Sequence, residues 1–123
     1  MPAIGWKLDE AERSSLLDRF PPLWPDVIAD HITLASGVPQ DAPLPEPQQA
    51  EIVGSISDGE GLQALIVVVG GNSGRPDGGT FHITWSLDRS RGREAVQSND
   101  VIADLGWRRL PEPVPIKTAP ARF

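Results

Sequence analysis

The sequence has no cysteine, no tyrosine, only two histidines and no long apolar run. Without cysteine there is neither a disulfide framework nor a thiolate metal site. The longest apolar stretch, LQALIVVVGG at 62–71, is far short of the roughly 20 residues that a helix needs to cross a bilayer. The segment MPAIGWKLDE lacks the charged-then-apolar pattern of a signal peptide. A single cytoplasmic domain with no membrane contact, acting as a monomer, is the expectation. Basic charge is scarce as well, with 11 Lys and Arg against 17 Asp and Glu for a net charge of −6. That balance argues against holding long duplex nucleic acid by counterion release. It leaves room for a small nucleotide or an RNA terminus, which needs only a local basic pocket. Arg89, Arg91 and Arg93 in DRSRGR form one such local concentration.

Turn chemistry, by contrast, is plentiful. The chain has 13 prolines and 12 glycines among 123 residues, which implies many short elements rather than a long helical bundle. AIGWKL (3–8) reads as a first strand. Asp9 begins a helix over DEAERSSLLDRF, with Glu12 three residues on and Leu16, Leu17 and Phe20 on one face. Pro21 and Pro22 end it. DVIADHITLAS (26–36) reads as a single strand, and VPQDAPLPEPQQ (38–49) as a surface loop. AEIVGSIS (50–57) and LQALIVVV (62–69) read as a hairpin closed by DGEG. The continuously apolar second arm is expected to be a central strand covered on both faces. After the glycine-rich loop GGNSGRPDGG, TFHITWSL (80–87) is another strand. SNDVIADLGW is a short helix capped at Ser98, PVPIK (113–117) is a last strand, and TAPARF is a loose tail at 118–123. The expected order is β-α-β-β-β-β-α-β, an α+β domain spanning 1–123 with a largely antiparallel sheet and two helices.

Both histidines open the same tripeptide, His-Ile-Thr, at 31–33 and 82–84. Residues two apart on a strand face the same way, so His31 projects with Thr33, and His82 with Thr84. Ile32 and Ile83 then face a core. One H-I-T means little, because threonine is a common strand former and a lone strand histidine is usually structural. Two copies that hold every histidine in the chain call for a chemical explanation. Two imidazoles and two hydroxyls around one point suit phosphodiester cleavage. One histidine takes a proton from the attacking oxygen, the other protonates the leaving oxygen, and the hydroxyls hold the non-bridging oxygens. This design calls for no metal and no cofactor. Among further candidates, Arg75 in the glycine-rich loop and Arg89 after the second motif are each read two ways, as reaching a phosphate or as solvating a turn. Ser86 shares the His82 face if its strand continues regularly, and Ser36 follows Thr33 by three. Asp30 and Asp88 have the wrong parity to face the histidines. Trp85 is expected in the core.

HITLAS (31–36) and HITWSL (82–87) resemble the paired H-x-[ST]-hydrophobic motifs of the 2H phosphoesterase superfamily. That group includes LigT-like RNA 2′,3′-cyclic phosphodiesterases and the cyclic phosphodiesterase domains of fungal tRNA ligases. The stretch GGTFHITWSLD, with SNDVIADLGW and PVPI after it, is most similar to small bacterial members grouped with RNA-repair "Swiss Army Knife" domains. The resemblance implies a two-lobed α+β domain with pseudo-twofold symmetry and one motif per lobe. It also implies that His31 and His82 are the acid–base pair and that Thr33 and Thr84 hold the phosphate, without saying which histidine is the base. The spacing between the motifs is shorter than in many LigT-like members, which implies a reduced lobe or a more open cleft. Three readings follow: a phosphodiesterase acting on a 2′,3′-cyclic phosphate or related linkage, a non-catalytic module that binds nucleotides or RNA ends, and an interaction domain with structural histidines.

Overall fold

The computed structural model describes residues 2–123. Its elements run β1 (Ala3–Leu8), α1 (Glu10–Arg19), β2 (Asp26–Val27), β3 (His31–Ser36), β4 (Ala50–Ser57), β5 (Leu62–Val69), β6 (His82–Leu87), α2 (Ser98–Leu105), β7 (Arg108–Ile116) and β8 (Thr118–Arg122). The fold is α+β. The strands form two antiparallel sheets, one ordered β3-β1-β8 and the other β2-β6-β5-β4-β7. Among the described residues, no helix is long and apolar enough to cross a membrane.

β5 occupies the centre of the larger sheet, as its apolar sequence, interrupted only by Gln63, requires. Leu65, Val67 and Val69 face one core with Ile32, Ile83, Trp85 and Trp6. Leu62, Ala64 and Ile66 face a second core completed by Val101 and Ile102 of α2. The hairpin before β5 is closed by Asp58, whose Oδ1 accepts from the backbone N–H groups of Glu60 and Leu62. Helix α1 starts where Asp9 accepts from Glu12 N. The reciprocal half of that cap is replaced by a tertiary bond, because Glu12 Oε1 accepts from Lys117 N at 3.0 Å.

Two expectations change. The single strand expected over 26–36 is broken, because Ala29, fully buried, adopts a positive φ of 42°. The segment before that turn runs along β6. Asp26 and Val27 pair with Leu87 and Ser86, and Ile28 N and Ala29 N donate to Trp85 O and Thr84 O. The chain then leaves for the smaller sheet at His31. One motif strand is thereby laid beside the other at the join of the two sheets.

The expected loose tail at 118–123 is instead strand β8. Pro120 and its neighbours pair antiparallel with β1, and Phe123 exchanges both backbone hydrogen bonds with Ala3. Both β7, with its three prolines, and β8 lie on sheet edges, where a missing N–H breaks no ladder.

Candidate functional site

The two H-I-T strands present their polar residues to one cavity of about 210 Å³. Its lining includes His31, Thr33, His82, Thr84, Arg75 and Ser36. Ile32 and Ile83, each fully buried, anchor the motifs in the core behind it. The alternation of the strands does the sorting, with the apolar middle residue inward and its two polar neighbours outward. In β3 this depends on Gly5 of β1. A bulge there lets Gly5 pair with Thr33, and a Cβ at residue 5 would run into the Ile32 carbonyl oxygen.

Each imidazole is held through Nδ1. His82 Nδ1 lies 2.8 Å from Thr80 O. A carbonyl only accepts, so Nδ1 carries the proton and Nε2 is left for a ligand. Burial pushes the His82 pKa below its ordinary 6.5. The bond to Thr80 works against this, while the nearby charges of Arg75 and His31 add to it. His31 Nδ1 lies 3.0 Å from Asp30 Oδ2, and its ring is covered by Phe123 at a centroid distance of 4.0 Å. Asp30 is therefore an orienting partner, contrary to the parity expectation. Strand alternation does not extend to it, because β3 begins at His31 and the backbone has just turned at Ala29. Asp88 conforms to that expectation, being bound to Ser90 and Arg91 instead.

The glycine-rich loop delivers Arg75. Its side chain is 10% exposed and is held on two sides, with Nε 3.1 Å from Asp77 Oδ1 and Nη2 3.0 Å from Asn99 Oδ1. Gly79 makes room for the guanidinium, since a Cβ there would collide with it. Asp77 is in turn fixed by Gly79 N at 2.9 Å, a bond that, with the Arg75 guanidinium, holds its carboxyl below the usual carboxylate range.

Ser98 and Asn99, at the start of α2, are site residues that the sequence reading did not single out for chemistry. Ser98, read there as a helix cap, is instead fully buried, with its Oγ 2.9 Å from Thr84 Oγ1. The helix therefore begins beside a motif threonine, and its positive dipole end lies at the same space. No signal within SNDVIADL distinguishes a capping serine from one that bonds a strand 14 residues back.

Two sequence candidates lie elsewhere. Ser86 does not share the His82 face. The β5–β6 register slips at Trp85, pairing Ala64 with Thr84 but Gln63 with Ser86. That bulge turns Ser86 onto the Ile83 side. There it is fully buried, donates to Gln63 Oε1 at 2.6 Å and accepts from Trp24 N at 3.2 Å. Arg89 lies in the 3₁₀ turn Arg89–Arg91 after β6 and does not line the cavity. Its neighbours Arg91 and Arg93 pair with Asp88 and Asp58. Trp85 is fully buried, as expected. Among the described residues, no group of three or more His, Cys, Asp or Glu side chains is arranged to hold a metal ion.

No protein-family model, curated protein or solved structure matches this chain.

Proposed function

We propose that this protein is a 2H-type phosphodiesterase that opens a 2′,3′-cyclic phosphate, or a related small nucleotide or RNA-end linkage, by two-histidine acid–base catalysis. The observation that carries the reading is the convergence of His31, Thr33, His82, Thr84 and Arg75 on one cavity. Two proton carriers, two hydroxyls and a fixed guanidinium are the groups that in-line displacement at phosphorus uses.

In this scheme His82 is the base. Its lowered pKa keeps it unprotonated near neutral pH, with the Nε2 lone pair free. Water gives its proton to Nε2 as its oxygen bonds to phosphorus. His31, held by Asp30, gives a proton to the ribose oxygen as the ring P–O bond breaks. The product is a phosphomonoester on one ribose hydroxyl. Thr33, Thr84 and Arg75 hold the non-bridging oxygens as negative charge redistributes onto them. Ser98 fixes the Thr84 hydroxyl.

The test is to incubate the protein with each nucleoside 2′,3′-cyclic phosphate and with short 2′–5′ and 3′–5′ dinucleotides, in EDTA, and follow the reaction by phosphorus NMR. The expected result is conversion of a cyclic phosphate to one monoester regioisomer. Tight binding without conversion would replace the enzyme with a nucleotide-binding module. Neither binding nor conversion would return both histidines to a structural role.

A further inference from the structure

A second cavity, of about 390 Å³, adjoins the histidine cavity, and the two share Arg75, Asp77 and Asn99 as a common wall. Its remaining surface is of a different kind, with Ile102 and Ala103 of α2, Trp107, and the backbone of Gly78 and Gly79. The histidine cavity alone, at about 210 Å³, is smaller than the roughly 300–1,000 Å³ of ordinary small-molecule sites. A ligand whose phosphate sits between the histidines therefore extends beyond that cavity. The adjoining groove offers it an apolar floor with a polar edge.

Trp107 is built in as a fixed wall. Its ring occupies the space left by the missing side chain of Gly54, where a Cβ would collide with the indole, and Arg109 lies 5.3 Å from the ring centroid. The charge of the groove narrows the choice of ligand. Among the described residues that line it, Arg75 is the only cation and is already engaged by Asp77 and Asn99, while Asp77 is itself 58% exposed. A second phosphate would meet an acidic rim. A flat, neutral ring with N–H groups on its edge would meet apolar contacts and a carboxylate able to accept.

We infer that the groove lined by Trp107, Ala103 and Ile102 is a nucleobase subsite, so that the preferred ligand is a nucleoside cyclic phosphate bearing its base and not a bare sugar phosphate. This rests on the phosphodiesterase reading for the position of the phosphate.

The test compares adenosine 2′,3′-cyclic phosphate with methyl riboside 2′,3′-cyclic phosphate, which lacks the base. Wild type is run beside Trp107→Ala and Ala103→Phe. Ala103 is exposed on α2, so its replacement fills the groove without opening the packing around Gly54. The readout is kcat/KM where turnover occurs and Kd by calorimetry where it does not. Wild type is expected to prefer the base-bearing ligand by about tenfold or more, the scale of one base–aromatic contact. Ala103→Phe and Trp107→Ala should each bring the ratio of the two ligands' kcat/KM, or of their Kd values, to near one. A preference that survives in both variants, or no preference in wild type, overturns the subsite while leaving the phosphodiesterase reading intact. Binding of both ligands without turnover overturns the enzyme, and the Kd ratio then decides the subsite. Failure to bind either ligand overturns both.

Discussion

The protonation of His82 is set by burial and by three neighbours, two of which, Arg75 and His31, act through side chains that can be changed singly. Burial lowers its pKa most, the Thr80 carbonyl opposes, and the charges of Arg75 and His31 lower it further. As a base it must be unprotonated, so the acid limb of kcat/KM is expected below pH 6.5. Arg75→Met removes one lowering charge and should move that limb to higher pH, besides reducing the rate. A limb that stays in place would separate the titration from His82. The same shift bears on stability. The unfolded chain binds this proton more readily than the folded one, so the His82 contribution is present above about pH 6.5 and is lost as pH falls through the lowered folded value. Ser86 gives the converse test. Because it bonds Gln63 and Trp24 rather than facing the cavity, Ser86→Ala should cost about 1–3 kcal/mol in denaturant unfolding. Turnover per folded molecule should be unchanged, whereas a phosphate contact would show as a raised KM. The sequence could not distinguish these roles, because strand parity holds only while the register does. The pairing of His31 with Thr33 and of His82 with Thr84 was legible, since each motif lies on one side of its strand's bulge. Ser86 lies beyond one, and Asp30 lies outside its strand.

At the scale of elements, the site depends on departures from regularity that involve residues far from the motifs. Gly5, 26 residues before His31, accommodates the β3 bulge because its missing Cβ leaves room for the Ile32 carbonyl. Gly5→Ala is expected to destabilise the fold by about 1–3 kcal/mol and to lower turnover beyond the loss of folded protein, because Ile32 stands between His31 and Thr33. An unchanged denaturation midpoint would mean that β1 and β3 can separate freely there. Strand β5 shows what a sequence does reveal at this scale. Eight nearly continuous apolar residues require cover on both faces, and each face has its own core. The requirement is local to the segment and needs no knowledge of its partners. A bulge, by contrast, is a property of two strands, and nothing in AIGWKL says where Thr33 will lie.

For the molecule as a whole, the ends of the described chain are brought together. β8 lies against β1, Phe123 closes onto Ala3 through two backbone bonds, and its ring covers His31. The alternation in TAPARF is carried only by two alanines and Phe123 around a proline, and its partner strand lies more than 100 residues earlier, so nothing local pointed to the pairing. Deleting residues 118–123 should therefore lower the denaturation midpoint and impair turnover by exposing an edge of β1 and freeing the His31 ring. A detached tail would leave both unchanged. The same architecture lays β3 beside β6 through the 26–30 segment, so the two histidines are expected to work as one unit. The direct measurement is a double-substitution cycle on cyclic phosphate turnover, comparing wild type, His31→Ala, His82→Ala and the variant with both changes. An acid–base pair predicts that each single change costs about 10²–10⁴-fold, and that the combined variant is little worse than the poorer single one, because coupled catalytic groups are not additive. Single variants that retain near wild-type rates, or losses that multiply independently, would contradict it.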